Sequence, residues 1–231
     1  MEPTRNDLGQ PTGFPLPGWS PPPAPPREPM EGRFCRLESL DPDRHAAALF
    51  EADAADADGR SWTYLAYGPF RTLAEYRAWM GATCLGDDPL FFAILDMADG
   101  KAAGVASYLR ITPAAGSIEV GHIHYSPRLQ RSPAATEAMF LMMRWAFEAG
   151  YRRYEWKCDA LNGASRAAAQ RLGLSSRACS ARRRSTRAGT GTPPGTPPST
   201  PSGRRCARRS SPGSTRATSM EQAASERGCP T

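Results

Sequence analysis

The 231-residue chain has no run of about 18 apolar residues, which excludes a membrane-spanning helix, and its start, Met1-Glu2-Pro3-Thr4, lacks the apolar segment of a secretory leader. Its net charge of +6 is unevenly held: residues 175–231 carry eleven Arg, no Lys and only Glu221 and Glu226, a net +9 that leaves −3 for the rest, so the basic balance says nothing about the part before it. The six Cys form no CxxC pair and no metal-ligand spacing, which points to free thiols and a cytoplasmic setting.

Residues 1–30 are rich in proline, which fixes φ and removes a backbone donor, so they read as an extended arm. The arm is either a disordered leader or is laid on the domain through Phe14, Leu16 and Trp19. The structured domain is predicted over 31–174. Phe34 to Leu37 reads as a strand, and Asp41-Pro42 opens a helix to about Ala54, with Asp41 as N-cap and Pro42 at the first helical position. Thr72 caps a second helix with Leu73, Tyr76 and Met80 on one side. Leu90 to Met97 and Ala103 to Ile111 form a hairpin around Asp99-Gly100, and Ile118 to Tyr125 is a further strand. A long helix, Pro133 to Ala149, ends at Gly150. The strand Tyr154 to Cys158 and a helix Ala164 to Leu172, ended by Gly173, follow. The strand–helix–strand crossover makes 118–125 and 154–158 parallel neighbours.

The informative stretch is Ile118 to Tyr125 followed by Ser126-Pro127-Arg128-Leu129-Gln130-Arg131-Ser132-Pro133-Ala134-Ala135. A strand runs into a polar loop that opens a helix. The first helical N–H groups lack intrahelical acceptors, so with the helix dipole they suit an anion such as a pyrophosphate. Ser132, Ala134 and Ala135 are small enough for close approach, and Arg128 and Arg131 add positive charge. An ordinary capped helix would read the same way.

Further on come Asn162-Gly163-Ala164-Ser165 and Leu172-Gly173, with Glu137-Ala138 early in the long helix. This order resembles the GNAT superfamily of N-acetyltransferases, in the branch of the ribosomal-protein acetylases, over about Gly32 to Gly173. The resemblance implies an α/β fold: a mixed, mostly antiparallel sheet flanked by helices, with a parallel strand pair that splays to hold coenzyme A. It implies acetyl-coenzyme A as co-substrate, a small-molecule or peptide amine as acceptor, and direct attack of the amine on the thioester. By the same resemblance Gln130, Arg131, Ser132, Ala134 and Ala135 hold the pyrophosphate, and Asn162 and Ser165 contact the pantetheine arm. One departure stands out: the family's loop reads Arg/Gln-x-x-Gly-x-Gly/Ala, and where it has its first glycine this chain has Pro133, which supplies no N–H.

Direct transfer needs alignment, a proton acceptor and a polarised carbonyl. A backbone N–H near Tyr125 suits the last role. Glu119 is the first candidate base, because a carboxylate there resembles the family's; it also reads as a structural carboxylate. His122 and His124 share the opposite strand face by alternation, unless a bulge intervenes, and His124 is the second candidate, with a strand imidazole as its plain alternative. His45, far away in sequence, completes no metal set with them. Trp62, Tyr64, Tyr67, Phe70 and Trp79 either line an acceptor site or pack a core.

Residues 175–231 are predicted to be a disordered tail of almost only Ala, Arg, Ser, Thr, Gly, Pro and Cys, too poor in apolar surface to offset ordering entropy. A family member continues there with two more strands, which this chain is expected to lack. Thr190 to Cys206, back-translated with permitted codons and read one base out of register, can give Asp-Arg-Asp-Thr-Ala-Trp-Tyr-Ser-Thr-Val-Asp-Ala-Glu-Trp-Pro-Ala-Leu-Arg, which resembles the branch's C-terminal segment and suggests a frame slip near residue 174. Eleven Arg could instead bind nucleic acid, as part of a non-catalytic binding protein, but no aromatic residue follows Trp156 to stack on bases, so nucleic acid is not the expected partner.

Overall fold

A computed structural model describes residues 3–178 and 218–223. The strands are β1 Met30–Glu31, β2 Cys35–Ser39, β3 Leu90–Asp96, β4 Lys101–Thr112, β5 Ser117–Tyr125, β6 Arg153–Cys158, β7 Ser175–Ala178 and β8 Thr218–Ala223. They form one sheet in the order β1-β2-β3-β4-β5-β6-β8-β7, antiparallel except for the β5–β6 pair. Helices α1 (Pro42–Asp53) and α2 (Leu73–Thr83) cover one face, and α3 (Pro133–Glu148) and α4 (Gly163–Arg171) the other.

Local chemistry sets the helix ends. Asp41 accepts from the N–H groups of Asp43 (2.8 Å) and Arg44 (3.3 Å), Thr72 from Glu75 (3.2 Å) and Ser132 from Ala135 (3.1 Å), each satisfying an orphan donor of a first turn. Gly150 (φ 98°) and Gly173 (φ 86°) end α3 and α4 in left-handed geometry. Tyr151 N–H then reaches Ala146 O and Leu174 N–H reaches Ala169 O, both at 3.0 Å, which closes each C-terminus.

Alternation in β5 sends Ile118 and Val120 into the core beneath α3, with Tyr154, Trp156, Met139 and Met142. The opposite face packs Phe91, Ala93 and Val105 against Leu49, Trp62, Tyr76 and Met80. Glu137 ties α3 to the start of β2: its carboxylate accepts from Arg33, Phe34 and Cys35 N–H at 2.9, 2.6 and 2.9 Å. The N-terminal arm is laid on the domain from Trp19 onward. Arg152 sits over the Trp19 ring, Tyr151 donates to Pro23 O (3.0 Å), and Arg27 donates to Leu85 O (3.0 Å) and Gly86 O (2.9 Å). Phe14 and Leu16 stay about half exposed and are not its anchors.

The tail expected over 175–231 falls largely outside the described residues. Where it is described, it supplies strands at the edge expected to lack them: β8 pairs with β6 from Arg153↔Ala223 to Cys158↔Thr218, and β7 pairs with β8. A strand edge offers backbone donors and acceptors that any non-proline segment can meet, so a composition poor in strand formers still completes a ladder. Among the described residues no helix is long and apolar enough to cross a membrane, and no group of three His, Cys, Asp or Glu residues could hold a metal ion.

Candidate active site

The β5–β6 ladder runs from Ser117↔Arg153 to Val120↔Trp156 and stops, although β5 continues to Tyr125 and β6 to Cys158. A bulge coincides with the parting. Gly121 opposes Ser107 and His124 opposes Val105, so His122 and Ile123 together face the single position Ala106, and His122 takes φ 51°. The extra residue bends β5 and ends its pairing with β6. It also resets alternation. Glu119 points away from the Ile118/Val120 core, and beyond the bulge His122 and His124 lie on that same side, against Tyr67 and Trp62. The expected opposition of Glu119 to the two histidines is thereby corrected.

In the fork lies a cavity of about 290 Å³, lined by Glu119, His122, Lys157, Asn162 and Ser165 from the strands and α4, and by Ser61 and Tyr64 from the 3-10 helix Arg60–Trp62 and the segment after it. Tyr64 donates to Leu161 O (3.0 Å), tying that segment to the β6–α4 connection. Asn162 caps α4 by accepting from Ser165 N–H (3.0 Å), and Ser165 Oγ accepts from the Trp156 indole (2.9 Å). The Asn162 amide N–H₂ and the Ser165 hydroxyl proton thus remain as donors.

Glu119 is buried, with each oxygen held by a cation at 2.5 Å: Oε1 by Arg110 and Oε2 by Lys157. Lys157 also reaches Glu155 (2.7 Å). Burial opposes the charge on Lys157, but the bonds to Glu119 and Glu155 outweigh it and hold its amine above the usual range, so it is a cation. His122 has its Nδ1 3.2 Å from Tyr67 Oη. Burial first, then Arg110, pushes its pKa below the usual 6.5, leaving a neutral imidazole at neutral pH. His124 is enclosed behind the wall, stacked on Trp62 at 3.6 Å between ring centres, and burial pulls its pKa down to about 4.

At the α3 corner, Ser132, Gln130, Arg131 and Pro133 are open to solvent in whole or in part. Ser132 takes Ala135 N–H with its Oγ and Thr136 N–H with its carbonyl (3.4 Å), and Pro133 has none, so of the first-turn donors Ala134 N–H is left for a ligand. Arg131 stands exposed at φ 58°, in the left-handed region that glycine adopts most easily. Arg128 is turned away, paired with Asp99 and bonded to Lys101 O.

Similarity to known proteins places this fold and sequence in a family. A family model described as an acetyltransferase (GNAT) domain matches residues 35–175. The chain belongs to the GNAT acetyltransferase family. A GCN5-related N-acetyltransferase from Brucella melitensis shares 45% identity, with 71% of this chain and 74% of that one covered and a TM-score of 0.68. A probable GNAT-family acetyltransferase from Chromobacterium violaceum shares 31% identity over 93% and 95% of the two chains, with a TM-score of 0.70. The fold alone is shared with the Microcin C7 self-immunity acetyltransferase MccE, solved in complex with acetyl-CoA and AMP (15% identity, 83% and 93% covered, TM-score 0.60). No curated protein matches the sequence.

Set against the GNAT expectation, the predicted residues fall into three places. Glu119, Asn162 and Ser165 share the cavity, while Gln130, Arg131, Ser132, Ala134 and Ala135 form the α3 corner. His124 lies outside the cavity. The Tyr125 side chain is a strut, donating to Ala135 O (3.3 Å), and Gln130 donates to Tyr125 O (3.0 Å). Of the aromatic set, Tyr64 lines the cavity, while Trp62, Tyr67, Phe70 and Trp79 pack with Tyr76 in the core. Sequence reasoning missed the cations on Glu119 and the place of Ser61. Lys157 stands two residues past Glu155, the partner of Glu119 on β6, a signal available once register is known. Arg110 instead follows Leu109, the partner of Glu119 on β4, and reaches the carboxylate through the β4 bulge where it takes φ 49°; Ser61 carried no signal.

Proposed function

We propose that this chain transfers an acetyl group from acetyl-coenzyme A to a primary amine, on a small molecule or a peptide, by direct attack in the fork between β5 and β6, in a cytoplasmic setting. The observation that carries the reading is the end of the β5–β6 ladder at Val120/Trp156, with donors and a neutral imidazole gathered in the cavity beyond it. The residues present fit the co-substrate. Ala134 N–H and the exposed Arg131, with Gln130, Ser132 and Ala135, suit a pyrophosphate at the α3 corner, with fewer backbone donors than a glycine-rich loop gives. The Asn162 amide and Ser165 hydroxyl suit amide carbonyls of the pantetheine arm. A backbone N–H near Tyr125 polarises the thioester carbonyl.

For the base, His122 stands ahead of Glu119 and His124. Glu119 has both oxygens already engaged by two cations, and it serves by fixing Arg110 and Lys157 at the cavity wall. His124 is enclosed. His122 faces the cavity, and the tautomer that donates its Nδ1–H to Tyr67 Oη has an Nε2 lone pair to take the amine proton. Calorimetry with coenzyme A and a thiol-release assay over a panel of amines test the reading. His122→Gln is expected to lower kcat about 10²-fold or more with coenzyme affinity unchanged. The acid limb of kcat/KM is expected below pH 6.5, because a lowered pKa keeps the base free at lower pH. Full turnover by His122→Gln would refute the assignment, and no coenzyme binding would refute the function.

A further inference from the structure

Ser61 sits in a polar network that the transfer reading leaves unused. Its Oγ lies 2.6 Å from Asp56 Oδ2 and 2.9 Å from His124 Nε2. On the far side of the ring, His124 Nδ1 is 3.8 Å from Asp53 Oδ1, and Tyr76 packs nearby against Trp62. Three of these groups could be read as Ser61–His124–Asp53, a nucleophile with its base and orienting acid. Distance decides against that order. The 3.8 Å gap is too long for a hydrogen bond, whereas 2.6 Å is a short, charge-assisted one.

The direction of each bond follows. Asp56 also accepts from Ser61 N–H (2.9 Å) and Arg60 N–H (3.1 Å). Burial acts against its charge, but the Ser61 hydroxyl and these N–H groups outweigh it and hold it ionised, so it can only accept. The single Ser61 hydroxyl proton therefore goes to Asp56. His124 must then donate from Nε2 to Ser61, leaving Nδ1 bare toward Asp53. One Ser61 lone pair remains, on a residue that lines the cavity. We infer that Ser61 Oγ is the anchor for the acceptor amine, a site that accepts hydrogen bonds and cannot donate them, and so takes an N–H of the incoming amine and disfavours a carbonyl or carboxylate at that point. The inference rests on the transfer reading above. His124 and Asp56 are positioning residues: they fix which way the hydroxyl points.

Two arms test it on the full chain. NMR of protein carrying ¹⁵N-labelled histidine is expected to show His124 as the Nε2–H tautomer, neutral from about pH 5 to 8. The Nδ1–H tautomer would overturn the inference and restore the nucleophile order. With saturating acetyl-coenzyme A and propylamine as probe, Ser61→Ala is expected to raise the propylamine KM about tenfold to a hundredfold, with coenzyme affinity unchanged. Ser61→Thr, which keeps the hydroxyl, is expected to restore it; an unchanged KM in Ser61→Ala overturns the anchor. If the wild type binds coenzyme A but does not acetylate propylamine, the transfer reading fails separately. The anchor is then decided by whether propylamine shifts the His124 Nε2–H signal in the wild type and not in Ser61→Ala; no shift overturns it.

Discussion

The Asp53–His124 pair makes a sharp prediction about stability and pH. Burial, and then the charge of Asp56, raises the Asp53 pKa from 3.8 to about 7, while burial lowers that of His124 from 6.5 to about 4. In the unfolded chain between about pH 4 and 6.5, the histidine holds a proton and the aspartate does not. In the folded chain the aspartate holds one and the histidine does not. Each state carries one proton on the pair, so across that window the pair contributes no slope to stability. Asp53→Asn removes the balance. The folded state then binds no proton there and the unfolded state binds one, so stability rises with pH by up to ~1.4 kcal/mol per unit, or about 2–3 kcal/mol over two units. His124→Gln tilts the other way: the folded state keeps the Asp53 proton, the unfolded state has none, and stability falls by a similar amount per unit as pH rises toward 7. Urea unfolding of the three proteins at about pH 4.5, 5.5 and 6.5 reads the slopes directly. Parallel profiles for wild type and Asp53→Asn would show that the two groups do not exchange a proton on folding, and the reasoning would fail.

Glu137→Gln is expected to destabilise the fold by about 2–3 kcal/mol at neutral pH, because one carboxylate serves three backbone donors at the start of β2. Burial works against its charge, but those N–H groups outweigh it and hold its pKa below 4.5; the difference from wild type should be full at pH 7 and shrink as pH falls through the folded pKa, which urea unfolding at neutral and acid pH would show. The coding DNA past codon 174 is expected to hold an open out-of-register frame that encodes the apolar and aromatic residues missing from 175–231. Sequencing decides it, and stop codons in that frame would refute the slip.

What the sequence shows of this molecule and what it hides divide along the range of the interactions. Asp41, Thr72, Ser132, Gly150 and Gly173 act within one turn of where they stand, so their side chains and φ freedom announce the helix ends directly. Asn162 and Ser165 are likewise local to the start of α4, and their place in the cavity follows from the crossover that makes β5 and β6 parallel. The cavity wall depends on something alternation cannot register: one extra residue in β5. Strict alternation sends Glu119 and the two histidines to opposite faces, and a single bulge at His122 reunites them and then separates their roles, one imidazole in the cavity and the other behind it. Glu119 shows the second limit. A carboxylate on a strand reads as a free base until the neighbours on β4 and β6 are in register, and only then do Arg110 and Lys157 convert it into half of an ion cluster. Ser61 shows the third, since a lone serine in an irregular segment has no periodicity to betray it. Its chemistry comes from Asp56, five residues before it, and His124, a strand away, and the direction of its proton is fixed only when both distances are known.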